Sequence, residues 1–153
     1  MNSHIWYHKT RSDDGKFKEG YTFEKHVHSE LDPDAVILVN NLCDQANCKV
    51  VVSSTWRIGR TIEELQAVLN ERGATFDIID KTIITEEEVR GVEIQKWWGD
   101  YGDDYNNYVI FDDDSDMMID QYHNFFQIDG YCGVTPTITY KAERFLNTWE
   151  RKI

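Results

Sequence analysis

The sequence lacks any long run of apolar residues. A membrane-spanning helix needs roughly 18 or more consecutive apolar residues, and no stretch of the 153 residues approaches that length. The N-terminal segment MNSHIWYHKT also lacks the apolar stretch of a secretory signal peptide. We therefore expect a cytoplasmic protein without a membrane-spanning segment.

Basic residues are scarce relative to acidic ones. The chain has 16 Lys and Arg against 28 Asp and Glu, a net charge of −12. General nucleic-acid binding needs a basic surface that neutralises phosphates, so this balance argues against it. Two roles stay open. A bound cation could reverse the local charge at a phosphate site, or the acidic surface could bind a basic protein partner, as a mimic of nucleic acid would.

Cysteines are few, and their pattern excludes a common metal site. The 3 cysteines, Cys43, Cys48 and Cys132, are odd in number and lack the spacing of zinc ligands. We predict that they are reduced thiols with a structural role, which is the usual behaviour of small buried cysteines.

What the sequence does contain is an alternation of helix and strand patterns. Aromatic and β-branched runs around an Asp-Gly turn predict a β-hairpin over residues 4–24. Asp32-Pro33 and Thr135-Pro136 each resemble a helix N-cap followed by proline at the first helical position. Between them lie the predicted strands CKVVVSS, TFDIID, NNYVIF and NFFQID, and two helices with predicted capping boxes, Thr61 to Glu64 and Thr85 to Glu88.

This order predicts an α/β fold in a single domain over residues 1–153, with a mainly parallel sheet and helices on both faces. Ligands of such sheets bind beyond the carboxyl ends of the strands. Ser53 and Ser54 follow one predicted strand, and Asp112 and Asp113 follow another. Serine hydroxyls suit phosphoryl oxygens and carboxylates suit Mg²⁺, while Arg90 between them could balance phosphoryl charge.

Four segments carry a resemblance to a known family. In order, KVVVSSTWR, RGVEIQKWW, YVIFDDDSDM and GVTPTITYKAERFLN resemble the HAD (haloacid dehalogenase-like) superfamily. The sequence is similar to small HAD domains of phages and bacteria that are also found in RNA-repair proteins. The resemblance covers roughly residues 35–149. It implies a three-layer Rossmann-like fold without a large cap.

The resemblance also implies a function and a set of site residues. Family members use Mg²⁺ to hydrolyse phosphate esters through an aspartyl-phosphate intermediate. The expected substrate is a phosphorylated nucleotide, a nucleic-acid end or a small metabolite. The implied roles are phosphate binding by Ser53 with Ser54 beside it, charge balance by Arg90 (or by Lys81 or Lys96), and metal binding by Asp112 and Asp113, with Asp116 nearby.

One part of the family pattern has no match. The nucleophile of the family lies in a strand that ends Asp-x-Asp-Gly, directly before a hairpin flap, and residues 4–24 resemble that flap. Ser12-Asp13-Asp14-Gly15 has serine at the nucleophile position. We therefore expect the chain to begin just after the catalytic strand, either by truncation or as a variant that lost its nucleophile. Residues 4–9 or another chain would then fill the position of that strand.

Plainer interpretations stay open for each of these features. The acidic run Asp112 to Asp116 could be a solvated turn, Ser53 to Thr55 could be helix-cap residues, and Arg90 could form a surface ion pair. His26 and His28 lack a third ligand and are interpreted as surface histidines. Trp97 and Trp98 are expected in the core. The alternative function is a non-catalytic, acidic binding protein on a degenerate HAD scaffold.

Overall fold

A computed structural model describes residue 22 and residues 31–148 of the chain. The predicted hairpin over residues 4–24, the strand candidate at residues 4–9, and the histidines His26 and His28 lie outside the described residues. The predictions for these segments therefore stay predictions.

The elements follow one another in the predicted order of helices and strands. Numbered within the described residues, they are α1 Pro33–Ala46, β1 Val50–Val52, α2 Ile62–Glu71, β2 Ile78–Lys81, α3 Arg90–Tyr101, β3 Ile110–Asp112, β4 Phe125–Gln127 and α4 Pro136–Thr148. Short 3-10 turns occur at Thr55–Arg57, Gly102–Asp104 and Ile119–Gln121. The described chain is thus a mixed α/β structure with short strands.

The strands pair in parallel, as the alternation of elements predicts. β1 pairs with β2 and β3 pairs with β4, so that two 2-stranded sheets are present among the described residues. Within residues 31–148, no strand pairing joins β1 to β3. The position between them is where the family resemblance expects a further strand, and that expectation is not tested by the described residues.

The main core lies between the first sheet and two helices. Val36 of α1 and Leu65 of α2 pack with Ile78 of β2, and Val50 and Val52 of β1 border this cluster. The second sheet packs through aromatic rings, with the centroid of Phe126 6.4 Å from that of Phe111 and 5.9 Å from that of Phe145 in α4. Each sheet therefore packs against at least one helix.

The helices that begin with local signals start where the sequence predicts. The Asp32 side chain accepts a hydrogen bond from the N–H of Asp34 at the start of α1. At the start of α2, Thr61 and Glu64 form the reciprocal capping box. These caps need only residues within a few positions of each other, which is why sequence spacing identifies them.

The predicted capping box at Thr85 and Glu88 is wrong. Helix α3 begins at Arg90, its N-cap Val89 makes no side-chain capping hydrogen bond, and Glu88 adopts a left-handed φ of 51°. The N–H of Arg90 instead donates to the carboxylate of Asp116 at 3.0 Å. A side chain from a distant loop thus replaces the local cap.

The described residues include no helix that is both long and apolar enough to cross a membrane.

Candidate functional site

Ser53 and Ser54 lie in the turn that follows β1. The Ser54 hydroxyl oxygen accepts a hydrogen bond from the N–H of Trp56 at 3.3 Å and caps the 3-10 turn Thr55–Arg57. A hydroxyl that accepts in this way still has its own hydrogen to donate. Ser53 is half-buried, and its side chain makes no hydrogen bond within the described residues. Both hydroxyls can therefore still donate to an anion at this strand end.

The buried guanidinium of Arg57 binds the backbone of this turn. Its Nη1 donates to the carbonyl oxygens of Ser53 at 2.7 Å and Ser54 at 2.9 Å, and its Nε donates to the carbonyl of Thr82 at 2.9 Å. Burial lowers the pKa of Arg57, and the neighbouring Glu93 carboxylate opposes that shift. Because arginine is not deprotonated in proteins, Arg57 is a cation next to the Ser53–Ser54 turn.

Glu93 is buried and faces both arginines of the region. Its Oε2 accepts from Arg57 Nη2 at 2.7 Å and lies 3.9 Å from Arg90 Nε. Its Oε1 accepts from the N–H of Thr85 at 3.3 Å. Only 3% of Glu93 is exposed, so these contacts replace the hydrogen bonds that its carboxylate would make to water. One carboxylate thus links the Ser53 side of the region to helix α3.

Arg90 contacts the other marked strand end. Its Nη1 donates to Asp112 Oδ2 at 3.0 Å. Burial raises the pKa of Asp112, and the neighbouring Asp113 carboxylate adds to that rise, while the Asp114 N–H and Arg90 oppose it. Arg90 is thus an ion-pair partner of Asp112 rather than of a surface glutamate alone, and the pair joins α3 to the end of β3.

The acidic loop after β3 is attached to the start of α3. Asp116 caps the helix through its side chain, and its carbonyl accepts from the N–H of Gly91 at 3.0 Å. Gln121 is fully buried, accepts from the N–H of Met118 at 2.8 Å and donates to the carbonyl of Gly91 at 2.8 Å. Hydrogen bonds therefore attach this loop to α3, while Asp113, Asp114 and Asp116 are exposed to solvent. The metal-binding role of the acidic run and its interpretation as a solvated turn both stay predictions.

The other predicted candidates have structural partners elsewhere. Lys81 Nζ donates to the carbonyls of Arg57 and Arg60, and Lys96 pairs with Asp100 on α3 at 3.3 Å. Trp97 donates to Asp80 at 2.7 Å, and the Trp98 ring lies 4.5 Å from the Tyr108 ring. Of the three basic residues considered for charge balance, Arg90 is the one in contact with the Asp112 carboxylate.

The donor set at the end of β3 suits a hard cation in part. Asp112 and Asp113 supply carboxylate oxygens, and Mg²⁺ in phosphate sites commonly takes one or two protein carboxylates, with waters and phosphate oxygens completing its shell. No group of three or more His, Cys, Asp or Glu side chains in the described part of the chain is arranged as a metal site. Each oxygen of Asp112 already accepts one hydrogen bond, Oδ2 from Arg90 and Oδ1 from the N–H of Asp114, and each keeps a second lone pair that a metal could use. The residues fit an open Mg²⁺ site completed by a ligand, and the assignment stays a prediction.

Sequence reasoning missed two residues of this region. Arg57 and Glu93 lie 36 positions apart, and each is nearly fully buried in the structure. The signal that could have found Glu93 is its position on α3, three residues after Arg90, on the face that carries the arginine. Arg57 follows the marked serines within the same segment, SSTWR.

The ends of β1 and β3 carry polar side chains and are joined by arginine–carboxylate contacts, in a mixed α/β domain with short parallel strands. The model for the HAD domain in Swiss Army Knife RNA repair proteins matches residues 2–137 of this sequence. The chain therefore belongs to this family and is a HAD-superfamily domain. Comparison with curated proteins and with solved structures found no match.

Proposed function

We propose that this HAD domain is a phosphatase-like module that binds a phosphate monoester together with Mg²⁺. Ser53 and Ser54 would hold the phosphoryl oxygens, and Asp112 and Asp113 would hold the metal. The contact between Arg90 and Asp112 at 3.0 Å carries the proposal, because it places a cation and a carboxylate together beyond a strand end. Mg²⁺ at this site would neutralise phosphoryl charge and orient the group.

The family and the net charge support one substrate class over others. HAD domains of this family occur in RNA repair proteins, which supports a phosphorylated nucleic-acid end or a nucleotide over other phosphorylated metabolites. A net charge of −12 disfavours contact with a long phosphate backbone. A terminal phosphate that is bound through a metal ion needs far less basic protein surface than a long phosphate backbone does.

We further propose that the sequence as given has little or no turnover. None of its aspartates lies in an Asp-x-Asp-Gly segment, so the residues of the chain supply no match for the family nucleophile. Measurable Mg²⁺-dependent release of phosphate from p-nitrophenyl phosphate, abolished by Asp112→Asn, would overturn this part of the proposal.

Binding is tested separately from turnover. Isothermal titration of Mg²⁺ in the presence of inorganic phosphate should show binding to the wild type, weakened at least about tenfold by Asp112→Asn, equivalent to about 1.4 kcal/mol. Asp114→Asn is the matched control, because Asp114 lies in the same loop and contacts Asp112 through its N–H, not its carboxylate. Equal weakening by both variants would indicate a general charge effect and contradict a site at Asp112.

The alternative function is a non-catalytic protein that binds a basic partner. Asp80, Asp100, Asp103 and Asp104 line a separate cavity of about 440 Å³ together with Trp97, Tyr101 and Tyr105. Acidic groups are thus not confined to the end of β3, which favours an extended acidic surface. Binding to a basic protein that weakens steeply with salt and is unaffected by Asp112→Asn would support this alternative.

A further inference from the structure

The ion pair between Arg57 and Glu93 is the most buried charged contact of the described residues, with 5% and 4% of the two side chains exposed. Buried ion pairs contribute little net stability, because removing both charges from water offsets their attraction. Neither residue belongs to the predicted phosphate or metal ligands. A purely energetic explanation for the pair is therefore weak, and its contacts point to another role.

The contacts of Arg57 orient the backbone of the Ser53–Ser54 turn. Its guanidinium binds the carbonyl oxygens of both serines. In a trans peptide the C=O and the following N–H point in opposite directions, so the N–H groups of Ser54 and Thr55 face away from Arg57. Neither N–H donates to an acceptor among the described residues. Arg57 thus presents two free donors on the side opposite its own buried charge.

The contacts of Glu93 connect this turn to the acidic strand end. Glu93 binds Arg57 and lies 3.9 Å from Arg90, and Arg90 binds Asp112. The four groups alternate in charge, so that the buried Arg57 and the half-buried Arg90 each have a neighbouring carboxylate. Glu93 and Arg90 lie three residues apart on α3, so the first turn of this helix carries both the carboxylate that binds Arg57 and the guanidinium that binds Asp112.

We propose that Arg57 and Glu93 are positioning residues of the phosphate site. Glu93 fixes the guanidinium of Arg57, and Arg57 in turn holds the Ser53–Ser54 turn with its N–H groups directed at the phosphate. Glu93 also lies 3.9 Å from Arg90, which binds Asp112. This inference rests on the proposed function, since it assigns the arrangement of donors at the same site.

The test compares three variants by isothermal titration with inorganic phosphate in saturating Mg²⁺. The variants are Arg57→Met, Glu93→Gln and the double variant Arg57→Met/Glu93→Gln. The double variant is the critical test of the positioning role, because it removes both charges together and leaves neither one buried without a partner. We expect it to remain folded by circular dichroism and to bind phosphate at least tenfold more weakly than the wild type. Lys49→Met is the matched control, because Lys49 precedes β1 and forms an exposed ion pair with Asp77.

The outcomes separate this inference from the proposed function. A folded double variant with wild-type phosphate affinity overturns the positioning role but does not contradict the proposed phosphate site. Loss of phosphate and Mg²⁺ binding in proportion to the unfolded fraction also overturns it, because that result shows a structural role alone. A wild type that binds neither Mg²⁺ nor phosphate overturns the proposed function and this inference together.

Discussion

At the residue scale, burial changes the pKa values of individual cysteine thiols. Cys43, on α1, is buried, and burial raises its pKa from 9.0 to about 12, with Cys48 and Asp44 adding to the rise. Burial also raises the pKa of Cys48, whereas Cys132 is exposed. The three thiols are free. The burial of Cys43 is the arrangement predicted for a structural thiol, and the reduced state of the three cysteines stays a prediction.

The raised pKa of Cys43 predicts a loss of stability at alkaline pH. Below pH 9.0 the thiol is neutral in both the folded and the unfolded chain; above it the unfolded chain ionises first, until the folded pKa of about 12 is reached. Relative to Cys43→Ala, the free energy of unfolding of the wild type should therefore fall as pH rises above about 9. Urea titrations along a series of pH values measure this difference.

Cys132→Ala serves as the control for alkaline effects elsewhere, because it removes an exposed thiol. A difference between wild type and Cys43→Ala that stays constant across the alkaline range would contradict burial of this thiol in solution.

Helix α3 organises the candidate site at the element scale. Its first turn carries Arg90 and Glu93, and its N-terminus is capped by Asp116 from the acidic loop. Gly91 lies at the closest approach between helix and loop: an added Cβ would lie 2.7 Å from Met118 N and 2.7 Å from Gln121 Oε1. The same helix contains Gly99, where an added Cβ would meet nothing within 4 Å.

These two glycines make a matched pair of substitutions within one helix. Gly99→Ala should stabilise the protein by about 0.5–1 kcal/mol, because alanine has lower backbone entropy in the unfolded chain. Gly91→Ala gains the same helix propensity but pushes the loop away, and we expect a net loss of roughly 1–3 kcal/mol. Urea denaturation measures both. Similar effects of the two substitutions would show that the loop does not pack against α3 at Gly91.

Element boundaries show how far the sequence predicts the fold. Helices α1 and α2 begin where Asp32 and Thr61 predict, since each cap is local. The start of α3 was mispredicted, because its cap, Asp116, lies 26 residues away along the chain. Spacing rules of three or four residues cannot detect such a partner.

The whole molecule carries a strong excess of one charge. A net charge of −12 makes the folded state repel itself. Exposed ion pairs such as Lys49 with Asp77 offset little of this repulsion, because such pairs contribute about 0–1 kcal/mol. Screening by salt should therefore stabilise the fold.

We expect the melting temperature to rise when ionic strength increases from about 0.01 M to about 0.15 M, as the Debye length falls from about 30 Å to about 8 Å. Thermal unfolding monitored by circular dichroism measures the shift. Choline chloride should match sodium chloride at equal ionic strength, since screening does not depend on the cation. A melting temperature that falls with either salt would mean that ion pairs outweigh the repulsion.

By itself, the sequence determined the order of helices and strands, the caps of α1 and α2, and the two strand ends that carry serines and aspartates. Those features depend on neighbouring residues and on hydrophobic periodicity. Only the tertiary structure decided the pairing of Arg57 with Glu93 and of Arg90 with Asp112, whose partners lie 36 and 22 positions apart. Such partners meet only when strands and helices pack, because burial leaves each charge no alternative to a protein contact.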